Sequence, residues 1–406
     1  MYSRDNGSNW YESTSNSYTF SNLTSNTTFY VQVKVVDNNN RESAVSNATI
    51  KTQYLNPVVN SVSTSNITTN SITLTINVTP GSNNITTYYY SNNNGSSYVS
   101  STSNTYTFSG LSAGTTYNFK VYVLDSGGIK SNEATISATT SSPTLADYIK
   151  SLYTTQGSNG IYYHTSSLAN SAADNSYRYS GSNPNNYVCF GSDANTCPSD
   201  NLYRIIGVFD GEVKLIKSTS YGEYYWSGSR ENKNNFWSSS TLNTNILNGN
   251  YLNSISEKWQ QSINIHTWKS GGISSWQYVF NEPPKKVYEY EIGLNSSSKT
   301  NNAKIGLMYI SDYGFAANQS GWSKSMGNYD EIASGNWLYN GNFEWTISPF
   351  TGMTGNAFYV HEKGQIYHIA GTYLAQYIVR PCFYINSSVQ YVSGSGTNSN
   401  PIRLKV

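Results

Sequence analysis

The groups best able to do chemistry are few and scattered in this sequence. Its 406 residues include His164, His266, His361 and His368, with cysteines at Cys189, Cys197 and Cys382. His361 and His368 fall in a strand-like stretch and need not share a face. Each histidine reads as a packing or surface residue. Adjacent Asp330 and Glu331 would point apart in a strand. Glu344 stands beside Trp345, but no second acid is placed for glycoside hydrolysis, which needs a pair. Within residues 141–406 neither a Gly-x-Ser-x-Gly elbow nor a His-Glu-x-x-His motif occurs. The expectation is a protein that is not an enzyme and holds no cofactor.

Cys189 and Cys197 bound a loop short enough to close by a disulfide. No CxxC spacing and no nearby histidine favours zinc. A disulfide is preferred over two free thiols, and it would fit an extracellular setting. Cys382 lies inside an apolar run and reads as a buried thiol.

What remains is aromatic. Trp268, Trp276, Trp322, Tyr329, Trp337 and Tyr339, with Asp330 among them, sit between Asn and Ser residues, mostly outside strand-like runs. Rings beside amides and hydroxyls suit a sugar or a protein surface. These seven residues are the candidate ligand-binding set. The competing reading is that the rings fill a core poor in leucine. It is preferred for Trp237, Trp259, Trp337 and Trp345, and it stands level for Trp268, Trp276, Trp322 and Tyr329.

Composition narrows the partners. Charged residues make up 12% and the formal net charge is +1, so the basic patch that nucleic acid requires is missing. No apolar run approaches the ~18 residues of a membrane span. Aromatic content is 15%, with 37 tyrosines, which suits sheets with one wet face. The length is soft support for two to four domains.

These residues must be positioned by strands. Residues 305–314 and 377–385 are apolar runs of strand length, bracketing a long aromatic, glycine-rich excursion. Residues 202–209 and 212–217 flank Asp210-Gly211 and read as a hairpin. Thr144 is a candidate N-cap for a helix over 145–153. A short amphipathic helix is expected over 242–252, and another over 255–265 with Trp259 and Ile263 inward. Residues 141–144 form a linker.

The N-terminal third repeats itself. Residues 1–37 align without a gap to residues 89–125, an offset of 88. After a two-residue slip, Ala48-Thr49-Ile50 matches Ala134-Thr135-Ile136. Ile72, Leu74, Ile76 and Val78 alternate with polar residues, as do Tyr117, Phe119, Val121 and Val123. Turn clusters such as Asn94-Gly95 separate the runs. The passage from Leu111 through Gly114, Tyr117 and Phe119 to Val123 resembles the strand E to F region of a fibronectin type III domain. The resemblance implies a corner hydrogen bond at Tyr117. The first copy departs, with Phe29 at that position, and the usual strand B tryptophan is missing from the second. If residues 54–140 are one unit, the first copy lacks its first two strands, and further repeats are expected upstream.

The remainder resembles an uncharacterised bacterial surface domain found behind fibronectin-like repeats. The matching pieces are residues 203–209, Trp237 with Leu242, Asn243, Leu247 and Tyr251, residues 306–314, Trp337-Leu338, Trp345 with Ser348-Pro349, Arg380-Pro381, and Gly394 to Ile402. That domain is similar in layout to the C-type-lectin-like fold of formylglycine-generating enzymes. The enzyme resemblance would imply a copper-binding thiol pair, but only Cys382 lies in the C-terminal half. Asn281-Glu282-Pro283-Pro284 half resembles the calcium motif of C-type lectins. No calcium site is predicted, although Asp312 and Asp330 in loops keep one open.

The expected organisation is a partial fibronectin type III domain over 1–52, a whole one over 53–140, and an α+β C-type-lectin-like head over 141–406. The expected function is that of a bacterial secreted or cell-surface adhesin, whose stalk presents a head that binds a glycan or a surface protein. The alternatives are a secreted carbohydrate-active enzyme with accessory modules, and a structural spacer.

Overall fold

A computed structural model describes residues 1–227, 235–293 and 298–406. The chain divides into two compact units, Met1–Ser141 and Ser142–Val406.

In the first unit the period-2 runs become a two-sheet sandwich. Strands Val58–Ser65, Ser71–Thr79 and Thr105–Ser109 form one sheet. Ala134–Thr139, Thr116–Asp125, Ile85–Ser91 and Val99–Ser101 form the other. Ile72, Leu74 and Ile76 face Phe119, Val121 and Val123, all buried, as alternation requires. The Tyr117 hydroxyl accepts the Ser112 N–H at 2.9 Å, so the expected corner bond is present.

Residues 1–52 form a three-stranded sheet from Tyr2–Ser3, Thr28–Val33 and Ser46–Lys51. The repeat extends to individual hydrogen bonds. Ser3 and Ser91 accept the amides of Gly7 and Gly95 at 2.9 and 2.8 Å. The slip expected near Ala48 is corrected. Thr28 pairs with Lys51 and Thr116 with Thr139, so the offset of 88 continues to the end of the copy. A two-residue shift keeps every side chain on its face, so the sequence pattern could not reject it. The register is fixed by a threonine. Thr52 Oγ1 takes the Thr27 amide at 3.0 Å and donates to Thr24 O at 2.6 Å. Thr140 does the same with Thr115 and Ser112, at 3.0 and 2.6 Å. Val35 is 68% exposed where its counterpart Val123 is fully buried, because only the second copy has a facing sheet among the described residues.

The second unit is built on a seven-stranded sheet. Its order is Ile161–Tyr163, Tyr177–Tyr179, Leu202–Phe209, Glu212–Lys217, Cys382–Ile385 and Ile305–Gly306, with Tyr187–Cys189 also on Leu202–Phe209. The hairpin turns at Asp210 (φ 50°) and Gly211 (φ 86°), the positive angles a two-residue loop demands. A five-stranded sheet runs Gly222–Tyr224, Tyr377–Val379, Glu344–Pro349, Asn356–Val360 and Ile366–Ala370. Helix Leu145–Leu152 starts at Thr144, whose hydroxyl accepts the Asp147 amide. Its first N–H bonds Val389 O at 2.8 Å.

Three expectations are corrected. The run 305–314 is a strand only at Ile305–Gly306 and then a buried helix, Ile310–Ala316. A carboxylate from elsewhere decides this: Glu291 accepts the Ile310 and Ser311 amides at 3.0 and 2.9 Å, the donors a helix start leaves open. The run 377–385 splits between two sheets, Tyr377–Val379 and Cys382–Ile385. Arg380 breaks it by turning inward onto Glu344, with two contacts of 2.8 Å. The helix over 255–265 shrinks to Glu257–Gln260, while Trp259 and Ile263 are buried as expected.

Candidate functional site

The candidate aromatic residues separate into core and surface. Trp268, Trp322, Tyr329 and Trp337 are buried. Each satisfies its polar tip internally: Trp268 on Ala303 O (3.0 Å), Trp322 on Ala317 O (3.0 Å), Tyr329 on Gly314 O (3.0 Å) and Trp337 on Tyr179 O (2.9 Å). Their assignment as ligand-facing rings is therefore corrected. In a core short of aliphatic side chains, rings supply the buried area. Tyr339 is half-buried and donates to Glu362 O at 2.6 Å. Asp330 is exposed in the turn of helix Met326–Gly335.

Asp312 is buried in a helix and paired with Lys214 and Arg178. Among the described residues, no group of three or more His, Cys, Asp or Glu side chains is placed to hold a metal ion. Glu344 is consumed by Arg380. The Cys189–Cys197 disulfide is formed, and Cys382 is a buried free thiol, its pKa pushed up by burial.

Among the candidate rings Trp276 is the exposed one, at 43% exposure. It begins the short helix Gln277–Phe280, and its carbonyl accepts the Phe280 N–H at 2.9 Å. Trp276 and Phe280 therefore share a face, with ring centroids 5.1 Å apart. Phe280 in turn lies 5.8 Å from Tyr367. These rings and Phe358, Ile366 and His368 line a cleft of about 240 Å³. The floor comes from paired strands, with Phe358 opposite His368. Gly327 holds Phe280 in place, since a Cβ there would meet Phe280 O at 2.6 Å and the ring at 2.8 Å. Burial pushes the His368 imidazole below its usual pKa, so the lining carries no charge at neutral pH. Such a cleft can stack against the apolar face of a sugar ring or take an apolar side chain. Phe280, Tyr367 and His368 were not among the candidates. The spacing of Trp276 and Phe280 was the available signal.

Residues 57–139 match the family model of the fibronectin type III domain. The chain is thus a multidomain, largely β protein that contains such a domain in a tandem repeat. No curated protein matches it. Among solved structures it is similar to a chitinase from Bacillus thuringiensis (25% identity, 23% of this chain and 14% of that one, TM-score 0.20). It is also similar to the rat CD45 extracellular region, domains d3-d4 (22% identity, 32% and 74%, TM-score 0.24). A third likeness is to the chicken CNTN1 FN1-FN3 domains (17% identity, 30% and 46%, TM-score 0.19). The chain spans about a seventh of the chitinase.

Proposed function

We propose that this is an extracellular, adhesin-like protein without enzymatic activity, in which fibronectin type III modules carry a C-type-lectin-like head that binds a neutral glycan. One observation carries the reading: Trp276, Phe280 and Tyr367 converge on an uncharged, open cleft. Its volume falls just under the ~300–1,000 Å³ of pockets for drug-sized ligands, which suits a single sugar ring. The disulfide supports an oxidising compartment. A lectin-like layout is supported by the way the head closes on itself, with Thr144 bridged to Gln390. The test is a glycan array probed with the intact chain, with and without EDTA. A neutral-sugar hit that disappears in folded Trp276→Ala and Tyr367→Ala variants supports the reading. A blank array, with a surface protein captured through the same residues, replaces glycan with protein. Turnover of a bound glycan would overturn the assignment as a non-enzyme.

A further inference from the structure

The head buries five cations among its described residues: Arg178, Arg204, Lys214, Lys217 and Arg380. Four are satisfied within the protein. Arg178 and Lys214 share Asp312, with Asp174 also on Arg178. Arg380 holds Glu344. Arg204 lacks a carboxylate but spends its N–H groups on Asn186, Asn183 and the carbonyls of Pro184 and Trp337, between the rings of Tyr187 and Trp337.

Lys217 differs. It is 5% exposed, and its ammonium donates to one neutral acceptor, Asp200 O at 2.6 Å. An ammonium has three N–H donors. Among the described residues no carboxylate lies within ion-pair distance of it: Asp200 attracts it only from further away, and the Tyr203 ring centroid is 5.6 Å off. Burying a charge on those terms is costly unless a counter-charge arrives. The Lys217 side chain lines a cavity of about 430 Å³. Tyr221, Tyr251, Ser220, Ser254 and Ser256 also line this cavity. Tyr221 meets Tyr251 edge-on at 4.9 Å, and the Tyr251 hydroxyl is locked to that of Tyr203 at 2.6 Å. Tyr203 and Ile255 add to the lining, and one wall is Gly191 with Asp200 and Asn201. It is held there by the Cys189–Cys197 bridge and by the Asn201 amide on Phe190 O at 2.9 Å.

We propose that this cavity is a second binding site, for a monosaccharide unit that carries a carboxylate. The carboxylate takes the two remaining donors of Lys217, a charge-assisted contact. Tyr221 offers a ring beside the sugar, and the serine hydroxyls meet its hydroxyl groups. Asp200 is an exposed residue lining the same cavity and attracts Lys217 from further away, so the ligand's carboxylate must take the closer position on the ammonium. The site shares no residue with the Trp276 cleft and stands whether or not that cleft binds sugar.

The experiment titrates the intact chain with glucuronic acid, glucose and acetate, read by calorimetry and by saturation-transfer NMR. Glucuronic acid is expected to bind at least about tenfold more tightly than glucose or acetate. Lys217→Met, which keeps the buried stem, is expected to lose that preference. Ser256→Trp, an exposed change that fills the cavity without touching the ammonium, is expected to abolish binding. Trp276→Ala should leave glucuronic acid binding unchanged, which separates this site from the neutral-glycan cleft. Equal binding of acid and neutral sugar would overturn the proposal. So would acetate matching glucuronic acid, or undiminished binding in folded Lys217→Met and Ser256→Trp variants.

Discussion

Replacing Asp312 by asparagine removes one buried negative charge and almost no volume. In the native head Asp312 faces Lys214 and Arg178 and accepts the Tyr309 amide at 2.9 Å. Asparagine can keep the amide contact through its carbonyl. It cannot balance Lys214, whose other neighbours are the rings of Tyr309 (4.4 Å), Trp268 (5.3 Å) and Tyr384 (5.3 Å). Breaking a fully buried pair by losing one partner costs about 3–5 kcal/mol. With a urea slope of about 3 kcal/mol per molar, the unfolding midpoint should fall by roughly 1–1.7 M. Tryptophan fluorescence is the suitable probe, because every tryptophan except Trp10 lies in the second unit, so the signal isolates that unit's transition. Adding Lys214→Met to Asp312→Asn removes the stranded cation, while Arg178 keeps Asp174. The double variant should recover most of the loss. A single-variant loss under about 1 kcal/mol, or a double variant no better than the single, would refute the argument that charge balance fixes this core.

Acid should weaken the head before its carboxylates titrate. His266 stacks on Tyr384 at 3.8 Å, and burial together with Lys214 pushes its pKa down to about 4. A depressed histidine stabilises the fold above its unfolded value of ~6.5, and that contribution fades as pH falls towards 4. Urea midpoints measured from pH 7 to 4 should decline, and His266→Phe should flatten the slope. Asp174 adds a second, lower step. Burial raises its carboxyl, but Arg178 and Ser176 outweigh that and hold it at about 2, so stability is lost as pH falls from about 4 to 2. Reducing Cys189–Cys197 opens a short loop, at a cost of about 2–3 kcal/mol on chain-entropy grounds, measurable as a drop in Tm with reductant. Thr140→Val should destabilise the sandwich by about 1–3 kcal/mol, since it strands the Thr115 amide and the Ser112 carbonyl. Thr140→Ser should retain most of the stability, as read by circular dichroism.

Features that depend on near neighbours were legible in the sequence. The Asp210-Gly211 hairpin, the Thr144 cap, the alternation of Phe119, Val121 and Val123, and the Cys189–Cys197 loop all fall in this class. Features decided by a distant group were not. An apolar run such as 305–314 fits a strand or a buried helix equally well, and Glu291 settled it from outside the run. Likewise the break at Arg380 depends on Glu344. For the rings, a tryptophan among Asn and Ser looks the same whether its N–H ends on a carbonyl, as Trp322 does on Ala317, or its face meets water, as for Trp276. The unbalanced Lys217 was hidden for a related reason. It sits on the same strand as Lys214, and only the fold shows that one of them has a carboxylate and the other does not.

The start of the head is clamped to a much later part of the chain. Beyond the Leu145–Val389 contact, Tyr391 N–H bonds Pro143 O at 3.0 Å, and Tyr148 stacks on Tyr391 with centroids 3.6 Å apart. If the protein is tethered through residues 1–141 as proposed, a pull along the chain would reach the second unit at this clamp. Load arriving at Pro143 passes sideways into the segment 389–391 instead of peeling the helix Leu145–Leu152 outward. The Trp276 cleft is assembled from residues 276–280, 358 and 366–368, none of which belongs to the clamp. Its shape should therefore persist under forces that strain the clamp.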